Sequence, residues 1–349
     1  MKAREWNWKS AGIAVLAGTL LLAGCGKNDG TKGPEASSPS SSGSVSEPSA
    51  ALQDVTVVLD WTPNTNHTGL YAAKEKGFWE KRGLKVEIVQ PPESGANALV
   101  GSGKADFGIT AQEDLTLARE QGVPIVSVAA IIQHNTSGFA SPADKNIKEP
   151  KDFEGKTYGA WGSPAEKAVI ESLMQEQKAD IGKVNFVDIG TADFLTAVKR
   201  DIDFAWIYYG WDGVGAELKG EKLNMVYLSD YSKQLDYYTP VLTSNEDFLK
   251  NKPDLAKAFL AGATEGYQFA IDHPDEAADI LLKAAPELDK DLVHASQKWL
   301  ASKYKDDAPR WGEQKKEVWT GYGEWMKAHG LLQKELNFEQ MYTNDFLPQ

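Results

Sequence analysis

Cysteine is all but missing. Cys25 is the only one in 349 residues, which excludes a disulfide within the chain and any metal site built on cysteine. Histidine is scarce, and His67, His134, His273, His294 and His329 show no H-E-x-x-H spacing that would set two metal ligands on one helix face. Neither a metal nor another cofactor is expected. Positive charge is short as well: 37 Lys and Arg stand against 50 Asp and Glu, and the formal net charge of −13 argues against nucleic acid as a partner. The sequence has no GxSxG elbow and no GxGxxG after a strand. GSGKAD at 101–106 lacks phosphate-loop spacing, because Ala98 stands where a first glycine is required and Ala105 follows the lysine. It reads as a helix stop before a strand.

Long apolar runs are limited to one, Ala11 to Ala23, thirteen residues where a membrane span needs about 20. Lys2, Arg4 and Lys9 precede it and Leu22-Ala23-Gly24-Cys25 closes it, the pattern of a bacterial lipoprotein signal over residues 1–24. Cys25 would then become the lipidated N-terminus, and the formal charge of the remaining chain is −15. Residues 25–53 are dominated by Ser, Gly, Pro and small polar side chains, which bury too little apolar surface to offset the entropy of ordering them. They form a flexible tether from the outer face of a cell membrane.

Beyond the tether, strand-like and helix-like patterns alternate, which predicts an α/β architecture with mostly parallel sheets. VTVVLD, LKVEIVQ, ADFGIT and PIVSVAAII read as strands, with helices between them that stop at Gly77, Gly103 and Gly122. After QHNTSG the pattern restarts with KTYGAW, KVNFVDI and FAWIYYG as strands, and from Leu249 onward it becomes helical. The repetition predicts two lobes, residues 54–133 plus 239–349 and residues 134–238, in a fold of the two-lobed periplasmic-binding-protein kind (type II) with a ligand cleft between them. About 296 residues are also more than one core comfortably serves.

Ligands of such sheets sit beyond the carboxyl ends of strands. The loop after VTVVLD brings Asp60, Trp61, Asn64, Asn66 and His67 to such an end, a flat ring beside donors and acceptors that suit a polar aromatic solute. The asparagines and Asp60 are equally able to form turns and cap the next helix. Trp161 and Ser163 follow the first strand of lobe two, Glu93 and Ser94 follow LKVEIVQ, and Gln112 and Glu113 follow ADFGIT. Tyr237 and Tyr238 precede the return crossing, where they either contact ligand or pack the hinge.

DWTPNTNHTGLYAAKEKGFWEKRGLKVEIVQP, VGSGKADFGITAQEDL, DFAWIYYGWDGVGAEL and YTNDFLP resemble the thiamin-pyrimidine-precursor binding proteins of the NMT1/THI5-like family, over almost the whole chain beyond the tether. The resemblance implies a monomeric solute-binding component of an ABC importer that carries a small planar heterocycle such as N-formyl-4-amino-5-aminomethyl-2-methylpyrimidine to a membrane permease. Within WIYYGWDG it implies Tyr208 or Tyr209 as the stacking face, with Trp211 beside it and Asp212 as acceptor or as a helix cap. Other branches bind riboflavin, sulfonates or nitrate. Fungal members are hydroxymethylpyrimidine synthases with a cysteine-rich segment, and the corresponding stretch here, LDYYTPVLTSNEDFL, has none, although His67 matches a histidine they use. Glu75, Glu80 and Glu217 are candidates for docking on a permease.

Trp61→Ala or Asp212→Ala is expected to weaken ligand binding by about 1–3 kcal/mol, the worth of a stacked ring or buried hydrogen bond, without unfolding the protein. Titration calorimetry on both variants checks this, and unchanged affinity in both refutes the site assignment.

Overall fold

The computed structural model describes residues 51–190 and 192–349. The signal at 1–24, Cys25 and the tether as far as residue 50 lie outside the described residues. Among the described residues no helix is long and apolar enough to cross a membrane.

Ten strands form two five-stranded sheets. The first takes β1 (Gln53–Val58), β2 (Leu84–Val89), β3 (Phe107–Thr110), β4 (Ile125–Ala130) and, from far along the chain, β10 (Val241–Asn245), in the order β2-β1-β3-β10-β4. The second takes β5 (Ser137–Pro142), β6 (Thr157–Ala160), β7 (Asn185–Asp188), β8 (Phe204–Tyr208) and β9 (Leu223–Tyr227), in the order β7-β6-β8-β5-β9. The two orders are the same once each sheet's fourth strand is recognised as the one that follows a crossing between sheets. β10 runs antiparallel to β3 and β4, and β5 antiparallel to β8 and β9, while the other pairings are parallel. The sheets are therefore mixed rather than mostly parallel. Ser137–Pro142 reads SGFASP, too poor in β-branched residues to announce a strand, and its place is set by the partners on either side.

Helices α1 (Thr68–Glu75), α2 (Gly95–Gly101), α3 (Gln112–Glu120), α4 (Ala165–Glu176), α5 (Phe194–Val198), α6 (Val214–Leu218) and α7 (Leu228–Tyr231) follow strands. α8 (Glu246–Asn251), α9 (Pro253–Asp272), α10 (Pro274–Ala284), α11 (Lys290–Ala301) and α12 (Lys316–Ala328) make the helical C-terminal part. Gly77, Gly103 and Gly122 do stop helices in the left-handed region, with φ of 68°, 70° and 86°.

Against the first sheet, Phe259 of α9 stacks on Phe107 at 3.8 Å and on Trp79 at 5.2 Å, and Trp79 Nε1 donates to the Phe259 carbonyl at 2.8 Å. The second core gathers Phe139, Phe153, Tyr158, Phe204 and Trp206. α12 serves both. Its Trp319 packs with Val58 and Tyr238, while Tyr322, Trp325 and Met326, one turn further on, enter the second core. The two crossing segments are clamped together by His134, whose Nδ1 lies 2.7 Å from Asp236 Oδ2 and whose Nε2 lies 3.3 Å from Asp307. The hydrogen bond to Asp236 is the main cause that raises the imidazole to about 9, with burial opposing it.

α1 and α9 touch through glycine. A Cβ on Gly266 would lie 2.0 Å from the Gly69 carbonyl oxygen, so Gly266→Ala is expected to force the helices apart and lower the unfolding free energy by about 1–3 kcal/mol. Denaturant titration reads the loss directly.

Candidate functional site

The loop after β1 is folded by its own polar side chains. Asn64 Oδ1 accepts from the Asn66 backbone N–H at 2.9 Å, and His67 Nδ1 accepts from the Asn64 N–H at 3.2 Å. With Nδ1 accepting, Nε2 is the donor, and it meets Asp60 Oδ1 at 2.7 Å. His67 is fully buried and Asp60 about one-third exposed, so the histidine positions the carboxylate, whose other oxygen has no hydrogen-bond partner among the described residues. Asn66 holds the loop through its carbonyl, which accepts from Tyr267 Oη at 2.7 Å. This bonding turns Trp61 outward, and its side chain is 56% exposed.

In the second sheet, the turn between β6 and α4 is built around Glu166. The buried carboxylate accepts from the backbone N–H groups of Trp161, Gly162 and Ser163 at 3.1, 2.8 and 2.7 Å and from Tyr158 Oη at 2.6 Å. Ser163 Oγ in turn accepts from the Ala165 N–H at 3.2 Å, two residues on. Gly162 has φ of 100°, a conformation glycine alone adopts cheaply. The result presents Trp161, 39% exposed, while its ring leans on buried Trp206 at 5.1 Å. The Ser163-x-x-Glu166 spacing was the signal by which sequence reasoning could have found Glu166.

β8 ends on Tyr208, and Tyr209 opens the π-helical turn that follows. Tyr208 is 36% exposed, its Oη lies 3.5 Å from Thr239 Oγ1, and burial raises its phenol, with the charges of Glu113, Asp114 and Asp60 adding to the effect. Tyr209 turns the other way, onto Trp299 at 5.2 Å and the carboxylate of Glu217. Trp211 packs with Ala278, Leu281 and Val293, away from the other exposed rings. The π-helical turn Tyr209–Gly213 leaves Asp212 half-buried, and burial raises its carboxyl to about 6. The charge that adds to this effect is Asp193, not the Asp60 group.

Glu113 joins the two sides. Its Oε1 accepts from Ser163 Oγ at 2.9 Å and its Oε2 from Tyr322 Oη at 3.2 Å, so one carboxylate in the first turn of α3 holds both the β6–α4 turn and α12. Burial raises it to about 7, with the Asp114 charge adding to the effect and the two hydroxyl donors opposing it. Gln112 is fully buried and structural, its side chain accepting from the Tyr238 N–H at 2.9 Å and donating to the Val318 carbonyl at 3.3 Å. Tyr238 is buried in the crossing, where its hydroxyl accepts from the Lys315 N–H at 2.9 Å. Glu93 and Ser94 are exposed beyond β2, and Ser94 makes no side-chain cap. Glu113 and Ser163 are hydrogen-bonded, and Tyr208 feels the charges of Asp60, Glu113 and Asp114, the last of which no sequence motif singled out, while Trp61 and Trp161 are exposed rings next to Asp60 and two residues before Ser163 in the chain. Among the described residues no group of three or more His, Cys, Asp or Glu is placed to hold a metal ion.

Glu113 binds a proton more readily in the folded protein, at about 7, than at its ordinary value of 4.5. Its contribution to stability is therefore present at low pH and lost as the pH rises toward 7 and beyond. In Glu113→Gln the change in unfolding free energy between about pH 5 and pH 8 is expected to shrink by about 1–3 kcal/mol relative to the parent, read by urea titration at both pH values.

The chain is 27% identical to the formylaminopyrimidine-binding protein of Halalkalibacterium halodurans over 95% of its own length and 97% of that protein's. It is 26% identical to the 4-amino-5-hydroxymethyl-2-methylpyrimidine phosphate synthase of Legionella pneumophila, over 84% of this chain and 92% of the enzyme. Its fold is that of periplasmic binding proteins: the aliphatic sulphonate binding protein SsuA from Escherichia coli superposes with a TM-score of 0.66 at 15% identity, covering 83% of this chain and 97% of that one. The family described as NMT1/THI5 like matches residues 64–277, well over half of the chain, and the chain belongs to that family.

Proposed function

We propose that this protein is the lipid-anchored, extracytoplasmic solute-binding component of an ABC importer, and that its solute is a thiamin pyrimidine precursor such as N-formyl-4-amino-5-aminomethyl-2-methylpyrimidine. The observation that carries the reading is the set of three aromatic rings left open at strand ends, Trp61 from one sheet and Trp161 and Tyr208 from the other, among carboxylates. Large exposed rings are costly in water unless something flat covers them. The relative that binds formylaminopyrimidine, matched from end to end, supports the same choice of ligand.

In this reading residues 54–133 plus 239–349 and residues 134–238 are lobes that close on the solute, the protein works as a monomer, and Cys25 carries the membrane anchor. The rival is a pyrimidine synthase, which a relative of similar identity favours. Against it stands the cysteine-free stretch Leu235–Leu249, which supplies the second crossing and β10, with Val241 and Leu242 fully buried.

Mass spectrometry of the small molecule that co-purifies with the full-length protein, followed by titration with the formylaminopyrimidine, hydroxymethylpyrimidine, thiamin and riboflavin, tests the reading. Submicromolar binding of a pyrimidine, about −8 kcal/mol or better, is expected, with the bound compound recovered unchanged. Preference for riboflavin overturns the ligand, and turnover of the bound compound overturns the transport role.

A further inference from the structure

The loop after β1 and the turn after β8 belong to different sheets, yet one side chain of α11 is bonded to both. Ser296 is fully buried. Its Oγ lies 2.6 Å from Thr65 Oγ1 and is also bonded to the Gly210 carbonyl. A carbonyl only accepts, so the one proton of the Ser296 hydroxyl goes to Gly210, and Thr65, buried as well, must donate its own proton to Ser296. The order is thereby fixed as Thr65 to Ser296 to Gly210.

Both ends of this relay are held. The Thr65 carbonyl accepts from Tyr304 Oη at 2.6 Å, so the loop is tied to the α11 region by backbone and side chain alike. On the other side, the π-helical turn comes close to α11 because residue 210 is glycine: a Cβ there would lie 3.1 Å from the Leu300 side chain and 3.2 Å from Trp299. Tyr209 packs on Trp299 at 5.2 Å and adds to the contact. Buried hydroxyls whose partners move away lose hydrogen bonds that only water can replace, so the relay resists separation of the two loops.

Those loops carry open rings. Trp61 stands four residues before Thr65, and Tyr208 two residues before Gly210. A flat solute that touches rings on separate loops gains fully from each only when the gap between them is preset, because ordering the loops on binding costs part of the affinity.

We propose that Ser296 is a positioning residue for solute binding: by joining the loop after β1 to the turn after β8 through hydroxyls, it fixes the spacing at which Asp60 and Trp61 on one loop and Tyr208 on the other meet a planar ligand. The proposal rests on the solute-binding reading and names the side chain that sets the gap.

Titration of the full-length protein with the formylaminopyrimidine, beside Ser296→Ala, the isosteric Thr65→Val, the double variant and Thr65→Ser, tests it, with the thermal midpoint of each read in parallel. Ser296→Ala and Thr65→Val are each expected to weaken binding by about three- to tenfold, the worth of a buried hydrogen bond. The double variant is expected to bind no more weakly than the weaker single one, because both changes break one relay, and Thr65→Ser, which keeps the hydroxyl, to bind as the parent does. Parent affinity in either single variant overturns the proposal, and a lowered thermal midpoint beside it assigns the hydroxyl to packing alone. Losses that add in the double variant overturn the relay. Both outcomes leave the solute-binding reading standing, whereas a parent that binds no pyrimidine overturns that reading and this proposal with it.

Discussion

Neither sheet is complete until the chain has crossed. β5 reaches the second sheet directly after the first crossing and wedges between β8 and β9, and β10 returns by the second crossing to lie between β3 and β4. Each crossing strand thus supplies two ladders in the sheet it enters, so the segments joining the sheets are anchored at both ends by backbone hydrogen bonds. His134 and Asp236, one on each crossing, then tie the pair side by side. The two crossings are therefore fixed to each other as well as to the sheets they join.

The loops beyond the strand ends follow the same repetition. Each sheet uses a carboxylate or an amide to fold the loop after one of its strands. Asn64 and His67 fold the loop after β1, and Glu166 gathers three backbone N–H groups in the turn after β6. Buried acceptors are consumed in positioning, and what they leave outward are rings. Glu113 goes further, bonding across from α3 to Ser163, so one carboxylate ties the helix after β3 to the turn after β6.

α12 explains how a mainly helical C-terminal part can matter to both sheets. Trp319 and Tyr322 are three residues apart and yet enter different cores, and Tyr322 also donates to Glu113. The sequence placed all of residues 239–349 beside the first sheet because a helical return has no marker for sharing its faces. Amphipathic spacing says that a helix has an apolar face, not how many partners that face meets.

The strands with β-branched runs, the helix-stopping glycines and the repetition into two α/β halves were legible because they rest on local backbone preference and periodicity. β5, β9 and β10 were not, since SGFASP, LNMVY and VLTSN gain their strand character from neighbours on both sides. The same division runs through the site. Local pattern put Trp61 and Trp161 just beyond the carboxyl ends of strands and read FAWIYYG, with Tyr208 and Tyr209, as a strand. Which tyrosine stays open, whether Gln112 and His67 are spent on the backbone, and which of two adjacent acids in α3 is left without a partner were decided only by tertiary packing. A polar side chain at a strand end or helix start has a cap, a core hydrogen bond and open solvent within reach, and the choice among them is made by groups as far as 50 and 231 residues away, as in Glu113 with Ser163 and Thr65 with Ser296.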